Sequence, residues 1–367
     1  VAHTHAYSAL AAGMPGAGPA PTNFLEILER VWWRLDAALD EESLRASAEV
    51  AAAQALKAGV SCLVDHHESP NFIEGSLDVI AEAFERVGVR SLLCYGATDR
   101  HGKSGADAGL KESLRFAKTD RPRHRGLMGL HAPFTCSDET LAAAAEAGQT
   151  YGVHFHAAEG PDDQKAAAAR WQQPLFERLR DIGLLHDRTF VAHGVQMSDA
   201  EAETLLASGA WLTHQARSNQ NNGVGYAHQI SRLKVALGTD GIDDDLLREM
   251  QAWFFDARRH GGPTYWPDAL AMWGAGTRMV PPWFGPLGTT VGRGADLTVF
   301  DYVGPTPLTT DSLGSHLLFG LGSQHVRDVF VDGRCVLRKR KLQLVDDAEL
   351  LNSARTAAGS LFARLEY

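Results

Sequence analysis

Short apolar runs alternate with longer stretches whose apolar residues fall three and four apart. The runs are Val60–Val64, Val89–Tyr95, Gly126–Leu130, Gly152–Phe155, Arg188–Ala192, Ala210–Thr213 and Lys234–Gly238. Each reads as a buried strand. The stretches between them, among them Ser76–Val87, Asp138–Gly148, Gln173–Gly183, Ala200–Ser208 and Leu246–His260, have helical spacing. Repeated β/α alternation makes a parallel sheet with helices outside. With the stub before His3 counted as a further strand, the α/β pattern closes into a (β/α)8 TIM barrel. In such a barrel the active site lies at the C-terminal ends of the strands.

Beyond about residue 285 the alternation stops. Gly288–Val303 reads as a turn around Gly292 and Gly294 leading into a short strand. Val326–Asp332 and Arg334–Leu337 flank Gly333 as a hairpin, with Asp332-Gly333 as its turn. Three strands alone make a weak unit, so this small sheet needs a partner. Asp347–Leu365 is a closing amphipathic helix. The expected division is a barrel over 1–287 with a truncated first strand, a partial, incomplete β-sandwich domain over 288–345, and a terminal helix over 346–367. Phe24–Leu39 has helical periodicity and carries Trp32 and Trp33, which either pack in a core or wall a flat substrate. Ala11–Pro21, rich in Gly, Pro and Ala, is expected to be a mobile cover over the site.

Composition narrows the function classes. The 367 residues are 44% hydrophobic and 22% charged, as in globular chains with a sizeable core. The net charge of −10 argues against a dedicated nucleic-acid surface. No run approaches the roughly 18 apolar residues of a membrane span, so no membrane partner is expected. The first residues carry neither a basic nor a long apolar region, so no signal peptide is expected. Cys62, Cys94, Cys136 and Cys335 lie far apart with no CxxC spacing, which suits reduced thiols and a cytoplasmic location.

The chemistry sits where the apolar runs end. Gly238-Thr239-Asp240-Gly241 places a carboxylate at a strand tip, where burial is costly unless a cation faces it. Upstream, Val1-Ala2-His3-Thr4-His5, Leu130-His131-Ala132-Pro133, Val153-His154-Phe155-His156 and Val191-Ala192-His193-Gly194 each bring histidines to a strand end. His3 and His5 are two apart and so share one face, toward the barrel interior. With His156 and Asp240 they form a candidate metal set, three imidazoles and one carboxylate with a position open for water. Glu159, three residues past His156, is placed as proton shuttle for the metal-bound hydroxide. His193 is either a further ligand or a hydrogen-bond donor to the substrate, and the donor role is favoured. Asp240 also helps orient the nucleophile. His154 is a core residue or a contact to ligand or substrate. Of Asp65-His66-His67, at most one histidine faces inward. The strand ending at His131 carries no Lys to bridge two metals, which points to one ion and against a binuclear cyclic-amide hydrolase. Trp33, His131, Arg217, Asn219 and Asn221 are the candidate substrate-binding residues, the last three as polar groups at the barrel mouth. His101, His124, His186, His260 and His325 are expected at the surface.

Taken in order, the HxH pair, His156-Ala157-Ala158-Glu159, Ala192-His193-Gly194 and Gly238-Thr239-Asp240-Gly241 resemble the amidohydrolase superfamily, in its mononuclear deaminase and chlorohydrolase branch. Trp32-Trp33-Arg34-Leu35-Asp36, Asp65-His66-His67, Ala216–Tyr226 and Ala295-Asp296-Leu297-Thr298 resemble SsnA-type aminohydrolases. The resemblance implies one divalent ion, Zn2+ or in some relatives Fe2+, held by His3, His5, His156 and Asp240. It implies Glu159 and His193 acting on water and substrate, and a purine- or pterin-like small molecule losing an exocyclic amine. It also implies a homodimer. The alternatives are hydrolysis of a cyclic amide or a carbon–halogen bond, and an inactive barrel serving as a scaffold. Members of the family carry a longer segment ahead of HxH. With His3 and His5 so near residue 1, they are expected to fray, and metal binding to be weak.

Overall fold

The structure is a computed structural model that describes residues 1–16, 18–262 and 266–365. Its centre is a ring of parallel strands: β1 (Cys62–His67), β2 (Arg90–Tyr95), β3 (His124–Gly126), β4 (Met128–Leu130), β5 (Val153–Ala157), β6 (Thr189–His193), β7 (Trp211–His214) and β8 (Val235–Leu237). Pairing runs β1-β2-β3 and β4-β5-β6-β7-β8, all parallel. The run expected as one strand over Gly126–Leu130 is thus two short strands, each bonded to a different neighbour. The Leu127 amide donates to Leu93 O and Ala97 bridges to Leu130, so β3 and β4 act as one stave with a change of partner in the middle.

Residues 1–4 supply the remaining stave. Thr4 bridges in parallel to Asp65 on one side and to Asp240 on the other. Ala2 N donates to Leu237 O at 2.9 Å, Thr4 N to Val64 O at 3.0 Å and Thr239 N to His3 O at 2.8 Å. The expected fraying of His3 and His5 is therefore corrected. Backbone pairing on both edges ties this segment down, and His3 is fully buried.

The barrel floor is apolar. Ala2, Val64, Leu92, Leu127, Phe190 and Ala236 pack together there with Met279, Val280 and Leu287. Polar site residues therefore stand above a dry base, where electrostatic interactions are stronger than in water. Gly129 sits where β4 passes closest to β2. A Cβ at this position would lie 2.2 Å from the Tyr95 carbonyl oxygen, a backbone atom that cannot move alone. Gly129→Ala is expected to destabilise the fold by about 3 kcal/mol, the upper end for overpacking. A urea-unfolding midpoint unchanged from the parent protein would contradict this.

Outside the barrel, β9 (Leu297–Phe300), β10 (Val326–Val331), β11 (Arg334–Arg338) and β12 (Lys341–Leu342) form an antiparallel sheet in the order β12-β11-β10-β9. The β10–β11 turn has Asp332 at φ 52° and Gly333 at φ 77°, both left-handed, as a two-residue hairpin turn of type I′ needs. The sheet finds its partner in two helices. Val329, Val331, Val336 and Leu337 share a core with Leu44 and Leu56 of the helix Glu41–Lys57, and with Leu350 and Leu361 of Asp347–Ala363. Arg90 of β2 reaches Asp296 with two parallel bonds of 3.0 Å, a buried fork that joins barrel and sheet.

His124 departs from expectation. It is buried on β3, with Nδ1 2.9 Å from Ser91 Oγ and Nε2 3.0 Å from Glu85. The helical stretch expected at Phe24–Leu39 is Phe24–Ile27, a π-helical turn at Leu28–Trp32, and Trp33–Ala38. Such wide turns often mark functional sites. Here the turn lets adjacent Trp32 and Trp33 both face the cavity described below. Of the expected loop cover, Ala17 lies outside the described residues. The remainder is fastened to this helix by Arg34 to Pro15 O and Arg30 to Pro19 O.

Candidate active site

Four strand ends converge above the apolar floor. His3 and His5 come from the first stave, His156 from β5, His193 from the tip of β6, and Asp240 from just past β8. His193 and Asp240 hold left-handed backbone, at φ 76° and 56°, as does Ala158 at 52°. Strain of this kind clusters at functional sites. It turns each chain sharply where the strand ends.

Each imidazole is held by its outer nitrogen. His5 Nδ1 donates to His66 O at 2.6 Å and His156 Nδ1 to His131 O at 2.7 Å. A carbonyl only accepts, so these Nδ1 atoms carry the hydrogen, and in the neutral ring Nε2 turns its lone pair toward the centre. His193 Nδ1 meets Asn219 Oδ1 at 2.9 Å, and His3 Nδ1 meets His154 Nε2 at 2.9 Å. His5 Nε2 then lies 3.2 Å from His156 Nε2 and 3.0 Å from Asp240 Oδ1. His3 Nε2 is 3.5 Å from the same carboxylate oxygen. Ligand atoms of His3, His156, His193 and Asp240 all fall within 4.8 Å of one another.

This donor set fits a divalent metal ion. The Nε2 atoms of His3 and His193 are buried with no hydrogen-bond partner, a costly arrangement unless something accepts their lone pairs. Burial and the neighbouring imidazoles push His156 well below its usual pKa. Burial likewise lowers His3 to about 3. Neutral imidazole is the form that binds metal. Burial opposes the charge on Asp240, but the nearby His3 and His5 rings hold it well below the usual carboxylate range. His5 is the counterpart. Burial lowers it, yet Asp240 outweighs that and raises it to about 9. In this arrangement a proton on His5 stands where a cation would satisfy Asp240.

Glu159 lies beside the cluster, 3.3 Å from His193 Nε2, and accepts from Asn222 Nδ2 at 3.0 Å. Burial, countered by His193 and reinforced by Asp240, lifts its carboxyl to about 7. Ser218 donates to Asp240 Oδ2. In front of these groups lies a cavity that opens to solvent. His5, His156, Glu159 and Asp240 face into it, and Phe24, Leu28, Trp32, Trp33 and Phe134 wall it. Gly241 belongs to the same construction, since a Cβ there would lie 2.4 Å from the Trp32 ring.

The structure sorts the other sequence candidates. Trp33 and His131 line the cavity. Arg217 does not. Its guanidinium is engaged by Glu249 at 2.6 Å and by the Asp243 side chain and carbonyl at 2.7 and 2.6 Å. Asn219 stands behind His193 rather than in the cavity, and Asn221 bonds Asn222 from outside it. His154 is behind His3. His66 faces the cluster, 4.5 Å from the His156 ring between centroids, whereas His67 turns away toward Tyr7 and Tyr95. Asn222, Ser218, Asp36 and Glu68 were not singled out from the sequence. A helical reading of Ala216–Asn222 would have paired Ser218 with Asn222, four apart on one face.

A family model described as the amidohydrolase family matches residues 2–336. A 5′-deoxyadenosine deaminase of Methanopyrus kandleri is 30% identical, over 98% of this chain and 84% of its own length. A 5-methylthioadenosine/S-adenosylhomocysteine deaminase of Desulforudis audaxviator is 27% identical, over 98% of this chain and 85% of that protein. Among solved structures, an adenosine deaminase from Xanthomonas campestris with bound zinc superposes with a TM-score of 0.85. It is 24% identical and the match covers 98% of this chain and 84% of that one, a likeness of fold.

Proposed function

The chain belongs to the amidohydrolase family, and from that membership we propose that it hydrolyses the exocyclic amine of an aminated nitrogen heterocycle and releases ammonia. One divalent ion, zinc, serves it, with His3, His5, His156 and Asp240 as ligands. The observation that carries this reading is the gathering of the His3, His156 and His193 ring nitrogens with the Asp240 carboxylate, His5 lying 3.0 Å from that carboxylate, with Glu159 beside them and an aromatic-walled cavity in front. When bound there, the ion supplies a Lewis acid that brings the pKa of a water toward about 7.

The chain's own groups then have distinct tasks. Glu159 takes the proton that water gives up and passes it to the leaving nitrogen. Asn222 fixes Glu159, and Ser218 fixes Asp240. His193 presents Nε2 to the oxygen that joins the reacting carbon. In sum a carbon–oxygen bond forms and the carbon–nitrogen bond breaks; one of water's hydrogens leaves in ammonia, and the other stays on the ring nitrogen beside the new carbonyl. Trp33 and His131 contact the ring, and the aromatic walls exclude water from it.

Among the described residues no helix is long and apolar enough to cross a membrane. All four cysteines are free, which supports a cytoplasmic setting within the same proposal.

The relatives' names guide the test. The zinc-loaded protein is incubated with 5′-deoxyadenosine, 5′-methylthioadenosine and a panel of aminated purines and pterins, and ammonia is measured. The expected result is ammonia mole for mole with substrate lost from at least one compound. Release of a ring-opened acid or of halide without ammonia would move the activity to another bond.

Asn219 is a positioning residue. Asn219→Ala frees the His193 ring and is expected to lower kcat about tenfold, the size seen when a residue orienting a histidine is removed. Asn219→Asp, which still accepts from Nδ1, should recover most of the loss with zinc content constant. Equal losses in the two variants would show that Asn219 only supports packing.

A further inference from the structure

The cavity has a second polar region, beside His131. Glu68, just past β1, and Asp36, on the helix Trp33–Ala38, both line it. Arg100 reaches both carboxylates through one nitrogen, Nη2: it is 3.4 Å from Asp36 Oδ2 and bonds Glu68 Oε2. The guanidinium also stacks 4.4 Å over the Trp33 ring, behind the cavity wall. Asp36 is 1% exposed, and its second oxygen, Oδ1, is buried with no hydrogen-bond partner. For Glu68 Oε1 the nearest cationic or donor group recorded is His131 Nε2 at 3.8 Å, too far for a hydrogen bond. One guanidinium thus faces two carboxyl groups that share the same corner of the cavity.

The rest of the lining has the same sign. Asp162, Asp163, Glu159 and Asp240 also border the cavity, and among the described lining residues there is no Lys or Arg. Nothing there neutralises a phosphate or carboxylate on a ligand. Burial, added to the repulsion between the two groups, pushes the Asp36 carboxyl up, which marks the Asp36–Glu68 pair as crowded with acidic oxygens.

We propose that Asp36 and Glu68, joined through Arg100, accept hydrogen bonds from donor groups on the part of the substrate remote from the reacting carbon. On this basis the site takes uncharged or cationic aminated heterocycles and rejects their phosphorylated or carboxylated forms. This rests on the deaminase reading above and specifies its substrate class. A buried acceptor left unmatched penalises the wrong ligand more strongly than an apolar wall does.

The test is ammonia release from paired substrates by the zinc-loaded protein: adenosine with adenosine 5′-monophosphate, and cytidine and guanosine each with its 5′-monophosphate. The expected result is that kcat/KM for any nucleoside used exceeds that for its monophosphate by about a hundredfold. Glu68→Gln and Asp36→Asn, each checked for zinc content and thermal unfolding, should raise KM for the nucleoside about tenfold, the scale of one charge-assisted hydrogen bond, with a smaller change in kcat. They should also narrow the gap to the monophosphate. Equal use of nucleoside and monophosphate, or unchanged KM in both folded variants, would overturn this inference and leave the deaminase reading intact. No ammonia from any of these compounds or from the wider panel would overturn both. If neither variant folds, the paired comparison on the unaltered protein still decides.

Discussion

Glu159→Gln lowers kcat by about three orders of magnitude and leaves the metal in place. The size is that of a general acid–base group removed from a reaction needing two proton transfers. The glutamine keeps the shape of the side chain and its contact with Asn222 Nδ2, since the amide oxygen still accepts. It does not take a proton from water. KM should change little, because Glu159 acts on the reacting atoms rather than on the ring. The measurement is steady-state ammonia release alongside zinc content. A variant with near-parental kcat would remove Glu159 from the mechanism. A variant that also lost its metal would make Glu159 a ligand.

Asp240→Asn is expected to have the larger effect. Asp240 is the carboxylate among the converging donors of the histidine cluster, and His3 and His5 both reach it. An amide in its place has no charge to offer a cation and turns an NH2 toward one of its neighbours. Activity should fall by roughly four orders of magnitude or more, since water at the site returns toward its ordinary acidity. A binding readout accompanies this. A ligand that binds only the folded state raises the unfolding temperature by mass action. Zinc should therefore raise the melting temperature of the parent protein and leave that of Asp240→Asn unmoved. Equal zinc-dependent shifts in both would contradict the placing of Asp240 among the ligands.

The sequence shows the histidine cluster because each member ends an apolar run, and a barrel brings such ends together whatever their separation along the chain. His3, His156 and Asp240 are far apart in sequence, yet strand-end position alone was enough to group them with His5, Glu159 and His193. Side chains beyond that grouping follow a different geometry. Arg217, Asn219 and Asn221 were chosen as a row of polar groups, but the segment is a helix, and a helix turns each successive residue about 100°. Ser218 and Asn222 therefore face the site, while Arg217 swings round to Glu249. Glu68 escaped notice because it stands one residue beyond a strand that already ended in two histidines. Asp36 stands out in the sequence only as the end of the Trp32–Asp36 motif, which by itself gives it no role. The first stave shows the opposite failure. Judged by its place near residue 1 it was expected to fray. The pairing of Thr4 with both Asp65 and Asp240 was not visible from that position, because it depends on two strands remote in sequence.

Metal content of the folded chain tests the central claim most directly. The protein is purified without chelator or metal-affinity resin, and its metals are counted by inductively coupled plasma mass spectrometry. A single cluster of three imidazoles and a carboxylate predicts about one divalent ion per chain, zinc foremost. Two ions per chain, or none in a protein that is folded, would contradict it.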